Sequence, residues 1–111
     1  MKSFKIYLQE ESERQMRLGD FVEVGTNVKD PHFYIVRRGA AHEVGKPTKE
    51  PNPEHFGVRV IKTDSLDPNY AYYMMQHIAN TGHYKQFATG STKLVNIRAN
   101  HITDIPLGIR Q

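Results

Sequence analysis

The stretch from Asp67 to Gly82 constrains the fold of this chain more than any other. Asp67 stands at an N-cap position with Pro68 directly after it. A carboxylate there meets open backbone amides, and proline's missing N–H costs nothing at the first helical position. Gly82 lies just past Asn80, where helices commonly end in a left-handed residue. The spacing predicts a helix over about residues 67–80. Tyr70, Tyr73, Met74, His77 and Ile78 recur at helical intervals and form one face, expected to lie in the core.

The rest of the chain reads mainly as short strands. Phe4, Ile6 and Leu8 alternate with Lys5 and Tyr7, the period of a first strand. Residues 10–18 are polar and read equally as a loop or a short exposed helix. Asp20 to Val24, punctuated by Gly19 and Gly25, predicts a strand, as does the β-branched and aromatic run His32 to Val36. Pro47, Pro51 and Pro53 make residues 39–53 read as a long irregular loop. Phe56 to Lys62 resumes as a strand, with Val58, Val60 and Lys62 facing one way and Arg59 and Ile61 the other. After the helix come a short helical turn from His83 to Ala88, a turn at Gly90-Ser91-Thr92 and a strand from Lys93 to Ile97. Asn100 is expected to cap a brief turn over Ile102 to Ile105, stopped by Pro106, before an edge strand at Leu107 to Ile109. Strands, one helix and more strands give an α+β class: a small mixed or antiparallel sheet, one main helix and a short second helical turn. The 111 residues suit a single domain, residues 1–111, and show no internal repeat.

Several function classes fall away. The chain has no cysteine, which excludes disulfides, zinc–thiolate sites and cysteine nucleophiles. Met1 to Glu10 lacks the apolar run of a signal peptide, and no stretch approaches the roughly 18 apolar residues of a membrane span. A cytoplasmic protein with no membrane partner is the expectation. His32, His42, His55, His77, His83 and His101 show no convergent ligand spacing, so no metal and no cofactor are expected. Gly45-Lys46-Pro47-Thr48 fails as a phosphate loop: Ala40 stands where the first glycine belongs, and no helix follows. Gly90-Ser91-Thr92 lacks the Gly-x-Ser-x-Gly pattern of a serine hydrolase. Asp64 and Asp67 sit at a helix start, where capping accounts for them. The chain is expected to be non-enzymatic.

Charge points elsewhere. The net charge is +3. Residues 1–30 carry five Lys/Arg against six Asp/Glu, and the remainder carries ten against six. From His83 onward Lys85, Lys93, Arg98 and Arg110 face one acid, Asp104. A basic face of this kind suits phosphate.

The order of features from Phe56 to Leu107 carries a resemblance. A strand leads to a proline-capped aromatic helix, Leu66-Asp67-Pro68-Asn69-Tyr70-Ala71-Tyr72-Tyr73-Met74-Met75. A second helical turn leads into a Gly-Ser turn, Phe87-Ala88-Thr89-Gly90-Ser91-Thr92. Then follow the strand Leu94-Val95-Asn96-Ile97 and an Ile-Pro step, Ile102-Thr103-Asp104-Ile105-Pro106-Leu107. This half of the chain resembles the target-recognition domain of type I restriction–modification DNA specificity subunits. The resemblance implies non-enzymatic reading of double-stranded DNA for a methyltransferase or restriction subunit. The long spacer helix that follows the Ile-Pro step in that family has no counterpart before Gln111. This implies a solitary module, such as a phage or mobile element would carry, able to form a homodimer through its own surface. The alternative use of the scaffold is as an accessory that binds and modulates a host enzyme.

The expected nucleic-acid-binding residues form two groups. Tyr84, Lys85, Gln86, Ser91, Thr92 and Lys93 surround the Gly-Ser turn, where hydroxyls, an amide and ammonium groups would meet phosphates and base edges. Arg37, Arg38, Lys46 and Lys49 flank or occupy the 39–53 loop, and Arg98 follows a strand. Arginine pairs bidentately with guanine or phosphate. The structural alternatives are a plain turn at Gly90-Ser91 and a solvated basic loop.

Overall fold

The computed structural model describes residues 15–89 and 94–110. The expected first strand at Phe4 to Leu8 and the Gly90-Ser91-Thr92-Lys93 segment lie outside the described residues. The α+β class holds, with every described strand pair antiparallel.

The strands sort into three small sheets rather than one. In chain order they are β1 (Gln15–Arg17), β2 (Val22–Gly25), β3 (Phe33–Ile35), β4 (Arg38–Ala40), β5 (Pro47–Thr48), β6 (Phe56–Val60), β7 (Ala88–Thr89), β8 (Leu94–Asn96) and β9 (Pro106–Arg110). The central sheet runs β2-β6-β3-β5, the second β4-β8-β7, and β1 pairs with β9. A 3-10 turn at Leu18–Asp20 precedes β2, and a second, His83–Phe87, precedes β7. The helices are α1 (Pro68–Asn80) and α2 (Ala99–Thr103).

β6 sits at the centre because its sequence is apolar on one face. Phe56, Val58 and Val60 are buried while Arg59 is exposed. Val22 pairs with Val60, Phe33 with Val58 and Ile35 with Phe56, so the apolar residues of three strands share one face. Lys62 does not continue that face: it lies beyond the strand, exposed, with its ammonium 5.6 Å from the Phe21 ring centre. At the start of β3, His32 Nδ1 accepts the Val60 N–H at 3.0 Å. That histidine is therefore a structural acceptor.

α1 covers this face, and Asp67 caps it as expected, accepting the Tyr70 N–H at 3.3 Å. The expected core face is right for Met74 and Ile78 and wrong for Tyr70, Tyr73 and His77. Ala71 and Met75 are fully buried, with Tyr72, Met74, Ile78 and Ala79 packed beside them, whereas Tyr70 and Tyr73 are 63% and 67% exposed. Two apolar stripes run along this helix. Ala71 lets the backbone approach the sheet closely, which two tyrosines in its place would prevent. Tyr72 sets the depth, its ring edge-on to Phe33 at 5.4 Å and its hydroxyl donating to the Pro47 carbonyl at 3.3 Å.

Residues 39–53 are more ordered than their prolines suggest. β4 and β5 both fall within them. Pro47 is accommodated because β5 is an edge strand that pairs only with β3, so its missing N–H breaks no ladder. The connection between them folds back tightly: Glu43 and Val44 N–H groups donate to the Ala40 carbonyl, and Gly45 N–H donates to Val36 O at 2.9 Å. Gly45 has φ +90°, and a Cβ there would lie 2.0 Å from a ring carbon of Tyr84. Only glycine gives both the backbone conformation and the close approach.

Candidate nucleic-acid interface

Three of the expected basic residues come together. Arg37 and Arg38 lie where β3 passes into β4, and Arg98 follows β8. Pairing of β4 with β8 sets Arg38 opposite Asn96, and the Ile97 N–H donates to Arg37 O at 3.0 Å. The three arginines line one surface depression of about 500 Å³ together with Gly25, Thr26, Phe56, Asn96, Ile97 and Ala99. Residues about sixty positions apart in sequence thus share one site.

Each arginine is held differently. Arg37 is the most enclosed: its side chain is 27% exposed, its guanidinium carbon sits 5.7 Å from the Phe56 ring centre, and its buried Nε has no hydrogen-bond partner among the described residues. Arg38 is 56% exposed. Both donate an Nη2–H to the same oxygen, Oε2 of Glu54, from Arg37 at 3.2 Å. Glu54 is presented by a turn in which its own N–H donates to Asn52 Oδ1 at 2.8 Å and the His55 N–H donates to Asn52 O. Arg98 is exposed and makes no ion pair among the described residues. Its backbone is fixed by the start of α2, where the Arg98 N–H donates to His101 Nδ1 at 3.0 Å. The His101 ring in turn stacks on Phe87, with centres 3.9 Å apart and planes 8° from parallel. The helix begins at Ala99 with Arg98 at its N-cap, so Asn100 is not its cap; the His101 ring bonds back to the Arg98 N–H.

The other expected contacts do not join this site. Tyr84 is a correction: it is 1% exposed, covered by Gly45, and its hydroxyl has no partner among the described residues. Burial pushes its phenol pKa well above the ordinary value. It is a core residue and cannot reach a ligand from there. The 3-10 turn points Tyr84 inward and leaves Lys85 and Gln86 exposed. Gln86 is occupied locally, its Nε2 donating to the His83 carbonyl at 2.9 Å. Lys49 lies over the Tyr72 ring at 5.0 Å. Lys46 is half-buried in the turn before β5, where its N–H donates to Glu43 O. Ser91, Thr92 and Lys93 lie outside the described residues.

Sequence reasoning missed Thr26 and Glu54. Nothing local marks either one. Glu54 is 16 and 17 residues from its two partners, in a proline-rich segment with no periodicity. No three His, Asp or Glu side chains among the described residues gather as a metal-holding group. Among the described residues, no helix is long and apolar enough to cross a membrane.

A protein-family model matches residues 22–104 and is described as a family of unknown function, DUF6943. The chain belongs to this family. The matched span contains the central sheet, both helices and all three arginines of the depression, together with Glu54. No curated protein and no solved structure matches the chain.

Proposed function

We propose that this DUF6943 member is a non-enzymatic module that binds double-stranded DNA, with Arg37, Arg38 and Arg98 as its phosphate contacts. The observation that supports the reading is the convergence of these three residues, from separate segments, on one depression. Guanidinium groups present planar forks of donors that match phosphate oxygens. Asn96 and Thr26 stand beside them with an amide and a hydroxyl, groups that contact phosphates and base edges. In this reading the chain works as a relative of the restriction target-recognition domains that its second half resembles. Three phosphate contacts correspond to a slope of about −2.7 in log affinity against log salt. The test is fluorescence anisotropy on labelled duplexes at two salt concentrations. Salt-sensitive binding that weakens when Arg37, Arg38 and Arg98 are replaced by alanine supports the proposal. Failure to bind any duplex at low salt refutes it.

One observation favours a second reading, a module that engages a methyltransferase, a restriction subunit or another host enzyme. Tyr70 and Tyr73 project from α1 into solvent, and exposed tyrosines are characteristic of protein interfaces. Retention of a host enzyme by the native chain but not by a Tyr70→Ala, Tyr73→Ala variant supports that reading.

A further inference from the structure

We propose that Glu54 is a built-in competitor for the arginine site: its carboxylate occupies Arg37 and Arg38 until a phosphate of the DNA backbone displaces it. This rests on the DNA-binding reading above and specifies how that site is controlled.

The geometry of the carboxylate is the argument. A single oxygen, Oε2, accepts from both guanidinium groups. Neither arginine is held in the two-bond, fork-to-fork arrangement that gives arginine–carboxylate pairs their strength. The Arg37 Nε–H is buried and has no partner among the described residues, so the carboxylate engages Arg37 through Nη2 alone. A phosphate diester brings two non-bridging oxygens to the same place. It can accept two bonds from one fork while its neighbour along the strand takes the other. Successive phosphates thus give each arginine an oxygen of its own, where Glu54 offers both the same one.

The exchange is also a small step. The Glu54 side chain is 55% exposed and Arg38 56%, so that pair is screened and weak; Arg37, at 27%, is the more enclosed partner. Glu54 is carried by the short turn from Asn52 to His55, whose backbone contacts do not involve its carboxylate. The side chain can therefore swing into solvent without unfolding the turn. While in place its single negative charge offsets one of the two positive charges on Arg37 and Arg38, and Arg98 has no ion-pair partner among the described residues. A ligand that offers several phosphates in a row can begin on Arg98 and continue onto the other two.

The test compares wild type with Glu54→Gln and Glu54→Asp, by anisotropy on one labelled duplex at low salt, with thermal melts of each protein. Glu54→Gln keeps the shape and removes the charge; Glu54→Asp keeps the charge on a shorter arm. The expected result is about three- to tenfold tighter duplex binding for Glu54→Gln and a smaller gain for Glu54→Asp, with little change in melting temperature. Duplex binding that is lost in Arg37→Ala, Arg38→Ala but equal or weaker in Glu54→Gln overturns the competitor role and leaves the DNA-binding reading standing. Binding by none of these proteins, Glu54→Gln included, overturns both.

Discussion

Gly45 offers the sharpest test of how the arginine strand is positioned. Its N–H donates to Val36 O, one residue before Arg37, and its α-carbon lies against the Tyr84 ring. Gly45→Ala perturbs both. An alanine at φ +90° carries a backbone cost of about 1–2 kcal/mol. The added methyl would also stand 2.0 and 2.1 Å from two ring carbons of Tyr84, against ordinary contact beyond 3.4 Å. Tyr84 is 1% exposed and packed on every side, so moving its ring adds about 1–3 kcal/mol of overpacking. The total is about 2–5 kcal/mol, a large part of the 5–15 kcal/mol typical of a domain. Urea unfolding followed by circular dichroism measures it. A double-mutant cycle with Tyr84→Ala separates the two parts. Without the ring only the backbone cost remains, so the coupling energy is about 1–3 kcal/mol. A Gly45→Ala change under about 0.5 kcal/mol, within the range of neutral surface substitutions, refutes the account. A coupling of zero refutes its steric half.

Tyr84→Phe removes a buried hydroxyl that has no partner among the described residues, and should stabilise the fold by about 1 kcal/mol in urea titration. Burial raises the Tyr84 phenol pKa, so the unfolded chain loses this proton first. That contribution to stability is intact below the ordinary phenol value of about 10 and is lost as pH rises above it. Tyr84→Phe should therefore show a shallower loss of stability above about pH 10, and identical slopes would contradict the assignment. Asp67→Ala deletes the α1 cap and should cost about 0.5–2 kcal/mol in thermal or urea unfolding. Arg98→Ala should reduce the salt slope of duplex binding by about 0.9, the share of one phosphate, while Lys49→Ala, whose ammonium rests on Tyr72, should leave that slope unchanged.

Local rules succeeded wherever one short stretch carries its own instruction. Asp67-Pro68 and Gly82 mark the ends of α1 because capping depends on backbone groups within a few residues. The alternation of Phe56, Val58 and Val60 with Arg59 marks β6 as a strand with one buried face. The same rules failed where two local solutions were nearly equal. α1 carries apolar residues on both stripes, and pattern alone favoured the larger tyrosines over Ala71 and Met75. Pro47 argues locally against regular structure, although an edge strand needs no N–H from it.

The sequence by itself determined the α+β class, the main helix with its ends, the central strand and the basic character of the second half, since each follows from local spacing or from counting charges. Which candidates share a site depends on how the strands pair and pack. Pairing of β4 with β8 carries Arg98 to Arg37 and Arg38, and the Asn52–His55 turn brings Glu54 onto both. The same packing removes Tyr84 from the surface by closing Gly45 over its ring. Strand pairing and burial join residues far apart along the chain, and such contacts leave no periodic trace in the residues that make them.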